Sequence, residues 1–186
     1  MANAQMVSVG KPVTAGAISV APVGTSLPTD TTTALTGFKN LGYVSEDGLT
    51  NGTNIDSSKI KAWGGDTVLV VQTSKEDTFS FTLIEVLNAD VLKFVYGENN
   101  VTGALSTGLT VKANSGETEE VSIVIDMILR NNTAKRIVIP YAKISAVDDI
   151  QYTDDGAVGY KTTVDCTPDG NGNTHYEYIK NTTYSA

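Results

Sequence analysis

Hydrophobic positions in this chain recur mostly at a period of two, the spacing of side chains that share one face of a strand. In KEDTFSFTLIEV, Phe79, Phe81 and Leu83 alternate with Thr78, Ser80 and Thr82. In EEVSIVIDMILR, Val121, Ile123, Ile125, Met127 and Leu129 fall on one face, and in the segment that follows Gly159, Tyr160, Thr162, Val164 and Cys166 do the same. GAISVAPV reads as a short first strand, with Ile18 and Val20 inward and a stop at Pro22. DTVLVVQT reads as a strand joined to KEDTFSF by a polar turn around Ser74 to Glu76. KRIVIPYAKIS is a further strand, whose Pro140 predicts an edge or a bulge. DDIQYTDDGAVGYKTTVDC predicts a strand, a turn at Asp155-Gly156 and a second strand; GNGNTHYEYIKNTTYSA predicts a turn and a short tail strand.

The period changes once. In NADVLKFVYG, Val91, Leu92 and Val95 share a helical face flanked by Phe94. Asn88 is a suitable N-cap, Asp90 suits the first turn and Gly97 the stop, which predicts a helix over about 88–96. The whole is mainly β: an antiparallel β-sandwich or barrel of roughly seven to nine strands with one flanking α-helix and long polar loops or arms. Residues 1–14 are small and polar and read as an N-terminal arm ahead of a single domain over 15–186. Residues 24–62 read as a long, weakly structured loop, broken only by a candidate strand from Gly42 that enters a turn at Asp47-Gly48. That loop and the arm are the segments expected to become ordered on assembly. It ends on Trp63, the one tryptophan, set against Gly64, Gly65 and Asp66.

Composition narrows the function. The formal net charge is −8. Arginine occurs only at Arg130 and Arg136, and Ile144 to Asp169 carries six acidic residues against Lys161 alone, a local net of −5. Such a surface lacks the basic stripe that grips phosphates. The N-terminus does not read as a signal peptide, and no stretch approaches the ~20 apolar residues of a membrane span. A single Cys166 forms no internal disulfide.

The residues of a catalytic centre are scarce. His175 is the one histidine and lies in a polar tail, where a surface position is the ordinary reading. Cys166 sits in an alternating strand, where packing is the ordinary role. Together they cannot build a common zinc site. DGNGN, Asp169 to Asn173, lacks the sixth-position glycine of a calcium loop and has Lys180 where an acid would stand, so a turn is the better reading. No phosphate-binding or dinucleotide fingerprint occurs. No enzymatic activity and no cofactor or metal is expected.

The Gly42-Tyr43 to Gly48 stretch, the Trp63-Gly64-Gly65-Asp66 corner, the hairpin ending in Leu83-Ile84-Glu85 and the helix closed by Tyr96-Gly97 resemble the tail tube (major tail) proteins of long-tailed bacteriophages. The resemblance is strongest from about Leu41 to Asn100 and extends more loosely to about residue 166. It implies a structural virion protein, made in the host cytoplasm, whose six copies form a ring. Stacked rings make the hollow tail tube that delivers DNA to the host. Partners implied are further copies of the chain and the tape measure, tail terminator and baseplate proteins, with DNA passing through the lumen without specific binding and no membrane involved. On this reading Tyr43, Glu46, Asp47, Trp63 and Asp66 are candidates for subunit or ring contacts. Asp148, Asp149, Asp154 and Asp155 are candidates for an acidic lumen. For Trp63 two roles stand open: a plug of the subunit's own core, or a packing point on a neighbour. The competing class is a monomeric β-sandwich module that recognises a carbohydrate or cell surface through the 24–62 loop.

Overall fold

The computed structural model describes residues 2–14 and 16–181, apart from the side chain of Gln5. Eleven strands are formed: β1 Lys11–Pro12, β2 Ile18–Pro22, β3 Lys39–Asn40, β4 Val44–Lys61, β5 Thr67–Leu83, β6 Val101–Ala104, β7 Gly108–Val111, β8 Val121–Leu129, β9 Thr133–Val147, β10 Tyr160–Thr167 and β11 Tyr176–Lys180. All pairings are antiparallel. One nine-stranded sheet runs β3-β2-β8-β9-β10-β5-β4, with β1 beside β8 and β11 beside β9, and β6 and β7 form a separate hairpin. The fold is the mainly β architecture that the alternation predicts.

The inward faces of these strands make one core. Phe79, Phe81 and Leu83 of β5 meet Val164 and Tyr160 of β10, Ile137 and Ile139 of β9, Ile123 and Ile125 of β8, and Ile18 of β2. Helix α1, Ala89–Tyr96, closes the end of this core near Leu83 with Val91, Leu92, Phe94 and Val95. Asn88 caps it by accepting the Asp90 N–H at 3.0 Å. Phe94 stacks on Phe81 at 6.3 Å, and Tyr96 meets Tyr160 edge-on at 5.8 Å. Pro140 falls where the β8–β9 register shifts, and its carbonyl accepts the Ser122 hydroxyl at 2.8 Å. It therefore sits in a bulge, where a missing N–H costs no ladder bond.

Four sequence expectations are overturned. Residues 24–62 are not one loop. Their first part returns over the outer face of β8 and β9, where Arg136 donates to the carbonyls of Asp30 and Thr33 at 3.1 and 2.7 Å while its other nitrogens hold Asp126 at 2.6 and 2.9 Å. Val124, Val138 and Ser122, which alternation places on that outer face, are buried as a result. Their second part is the 18-residue strand β4. Second, Ser74 to Glu76 is no turn. β5 runs straight through it, paired as Asp56↔Ser74, Ile55↔Lys75 and Asn54↔Glu76, with only a bulge at Thr73. Polar residues there mark a strand exposed to water rather than a chain reversal. Third, no strand forms over Asp149 to Thr153: residues 148–159 are the connection from β9 to β10, and Asp155-Gly156 lies within it. Fourth, Asp47-Gly48 is a bulge, where the β4–β5 register jumps from Val44↔Leu83 to Leu49↔Phe81.

Gly42-Tyr43, Ile84-Glu85 and the helix cap Asn88 come together at the base of β4. Glu85 Oε1 accepts the Tyr43 N–H at 3.0 Å, its Oε2 accepts the Asn88 side chain at 3.0 Å, and the Tyr43 carbonyl accepts the Ile84 N–H at 3.1 Å. Gly42 has φ +74°, and a Cβ there would lie 2.0 Å from the Glu85 carboxyl carbon. Glycine is required on both counts. The N-terminal arm lies along β8: the backbone N–H of Arg130 donates to Ser8 Oγ at 2.7 Å, and its guanidinium donates to the Ala4 carbonyl at 3.1 Å. The last part of the predicted tail, 182–186, lies outside the described residues.

Candidate assembly surface

β4 and β5 are far longer than the body that carries them. β5 pairs with β10 only as far as Asp77↔Cys166. Beyond Asp77 the two strands continue as a free hairpin to Lys61 and Thr67, an arm of about 30 Å at ~3.3 Å per residue. Its turn is the Trp63-Gly64-Gly65 corner. Ala62 N–H donates to the Asp66 carbonyl at 2.8 Å, and Gly65 N–H donates to the Ala62 carbonyl at 3.0 Å. Gly64 and Gly65 take φ of +114° and +102°, values open to glycine. Trp63 stands at the tip with a relative exposure of 107%. It plugs no part of the core, and that reading of Trp63 is corrected.

Near its tip the β5 half of the arm is apolar on both faces. Alternation puts Leu69 and Val71 with Ile60 on one face and Val70 with the Lys59 stem on the other, and all the apolar side chains among them are exposed. An unbroken run such as Val68–Val71 is the pattern of a strand buried on both sides, and among the described residues nothing covers it. Toward the body the chemistry changes. On one side Thr78 and Ser80 of β5 and Thr163 of β10 form a hydroxyl surface, with Ser80 and Thr163 bonded at 2.8 Å. On the other side the core residues begin at Asp77.

The candidate residues divide into three places. Trp63 and Asp66 are at the tip. Tyr43, Glu46 and Asp47 are exposed at the base of β4, about 40 Å away along the strand. The base patch borders a cavity of about 500 Å3 lined in part by Ile18, Val44, Glu46, Leu49 and Met127. The acidic candidates Asp148, Asp149, Asp154 and Asp155 are exposed on the connection from β9 to β10, with Asp148 paired to Lys161 at 2.6 Å. The two interface patches are not adjacent, so they cannot touch the same spot on one neighbour.

Sequence reasoning missed the arm's apolar flanks: Ile55 and Ile60 fell in what read as a polar loop, and Val68 to Val71 read as a strand with no sign that it is exposed. It also missed Asp77, whose carboxylate is buried at the root of the arm. Burial alone would raise its pKa. Hydrogen bonds from Thr174 and Thr53 and the charges of Lys75 and His175 outweigh that and hold it below the ordinary value. His175 is not a surface residue: it is partly buried, with Nδ1 3.9 Å from Asp77 and its ring edge-on to Phe79 at 5.3 Å. Burial pushes the Cys166 thiol up to about 12, helped by Asp77 and Asp165 nearby, which leaves it a poor nucleophile. The DGNGN run is a turn: Asp169 Oδ1 accepts the N–H groups of Asn171 and Asn173 at 2.8 and 3.0 Å, and its Oδ2 accepts the Tyr176 hydroxyl at 2.6 Å. Among the described residues no three His, Cys, Asp or Glu side chains gather as a metal site, and no helix is long and apolar enough to cross a membrane.

The β body thus carries a long arm whose tip exposes Trp63 and Val68 to Val71. The family model of the phage tail tube protein matches residues 4–186. The chain belongs to that family and is a structural component of the virion tail that assembles into a tube and associates with other tail components. No curated protein matches the chain.

Proposed function

We propose that six copies of this chain close into a ring, that rings stack into the hollow tail tube, and that the arm formed by β4 and β5 makes the contact that holds successive copies together. The observation that carries this is the apolar tip: Trp63 and the Val68–Val71 run lie in water in the free subunit, yet have the composition of a doubly covered strand. The arm and α1 lie at opposite ends of β5. A contact made by one end of a subunit on a different surface of the next is heterologous, and repetition of it closes a ring or extends a filament. The edge strand β4 also gains a partner this way, which removes the hazard of an unpaired edge.

In this reading Trp63 and Asp66 meet one neighbour, while Tyr43, Glu46 and Asp47 meet another. The acidic connection with Asp148, Asp149, Asp154 and Asp155 faces the channel. There its charge repels phosphate within a Debye length of ~10 Å and lets DNA pass without sticking. An inner wall that is neutral or basic would contradict this assignment.

The test is an arm-shortened variant in which residues 56–74 are replaced by an Asn-Gly turn, which joins the paired residues Ile55 and Lys75. The reading expects the full chain to polymerise with rising concentration and the shortened chain to stay a folded monomer. A shortened chain that polymerises at the same concentration would refute it.

A further inference from the structure

Past Asp77 the arm has left its β10 ladder, and its flanks touch water on both faces. Its direction is set at the root. Asp77 Oδ1 accepts the Thr53 hydroxyl at 2.6 Å, which ties β5 to β4. Asp77 Oδ2 accepts the Thr174 hydroxyl at 2.5 Å. Lys75 Nζ lies 3.5 Å from the same oxygen. Thr174 lies between the 169–173 turn, in which Asp169 accepts the Asn171 and Asn173 N–H groups, and β11, which is paired along β9. The bond between Asp77 and Thr174 thus joins the departing arm to a fixed point on the body, at the level where the main-chain ladder stops.

We propose that this bond is a latch that fixes the angle at which the arm leaves the body, and with it the place that Trp63 reaches. Leverage makes the latch matter. On an arm of about 30 Å, a swing of about 10° moves the tip by about 5 Å, more than a packed aromatic contact tolerates. Asp77 and Thr174 are positioning residues that act through the tip.

The test uses the full chain at a concentration where it is monomeric. Spin labels are placed at Lys61→Cys on the arm and Lys161→Cys on β10, with the buried Cys166 left in place. Their distance distribution is measured by pulsed electron resonance in the parent, in Thr174→Val and in Thr174→Ser, beside thermal melts of each. The expected result is a distribution that broadens or shifts by about 5 Å in Thr174→Val and is restored in Thr174→Ser, with the fold retained in both. A Thr174→Val distribution as narrow as the parent's and centred at the same distance would overturn the latch, and so would equal broadening in Thr174→Ser. The consequence for assembly rests on the tube reading, and the two fail separately. If unlabelled parent protein forms no tubes when concentrated, that reading falls while the distance measurement still decides the latch.

Discussion

Replacing Trp63 with alanine separates the subunit's own stability from its assembly. Trp63 is fully exposed in the free chain, so truncation removes no core contact, and the monomer's stability is expected to change by no more than about 0.5 kcal/mol. For a chain of this size that is a Tm shift of roughly 1–2 °C. At an interface the arithmetic differs. A covered tryptophan takes about 150–250 Å2 out of water, or about 4–6 kcal/mol at ~25 cal/mol per Å2. Ordering costs reduce this, and truncation of a central aromatic typically loses 2 kcal/mol or more. A loss of about 2 kcal/mol per contact weakens each association roughly 30-fold. The critical concentration for polymerisation, read by light scattering or sedimentation at fixed salt, is expected to rise by at least that factor, while calorimetry shows an unchanged monomer. An unchanged critical concentration would refute the reasoning. So would a fall in monomer Tm of many degrees, which would return Trp63 to the core.

Other consequences can be measured on the free subunit. Arg136→Ala removes the donor to the Asp30 and Thr33 carbonyls and the partner of Asp126; a cost of about 3 kcal/mol, a Tm lower by roughly 6–12 °C and faster proteolysis within 24–36 are expected, and an unchanged melt would contradict the clip. The Asp77 carboxyl is held below its ordinary value, so its contribution is fully present above the unfolded pKa of about 3.9 and is lost as pH falls through the lower folded value. Acid melts of Asp77→Asn should therefore show a shallower loss of stability in that window than the parent, and identical acid limbs would count against it. Cys166, with its thiol pushed up to about 12, should resist a maleimide at pH 8 until denaturant is added, whereas rapid labelling of the native chain would mean that β10 opens readily.

What could be read from the sequence follows where water sits. Phe79 and Phe81, and Val164, alternate with less buried or polar neighbours because one face is buried and the other is not, and that pattern gave up those strands directly. The helix was legible from its cap and stop, Asn88 and Gly97. The arm was not, because its two faces share one environment. Asn51 to Lys61 is polar on both faces for most of its length, and Val68 to Val71 is apolar on both, so neither carries a period of two. β4 is a strand because its register with β5 makes it one, through pairs such as Lys59↔Val70. The polar clip of Arg136 and the buried Asp77 depend on residues more than 90 positions apart, and no local pattern announces such contacts. Trp63 showed itself as a feature at once; its position in water rather than in the core came only from the register that carries it to the tip.

The central claim is that the arm joins copies of this chain into a tube. Electron microscopy of the purified, concentrated protein tests it most directly. The account predicts hollow tubes of stacked six-fold rings, with density for the Trp63 tip of one subunit buried against another. Dispersed single subunits at every concentration, or tubes in which the Trp63 tip projects into solvent, would contradict it.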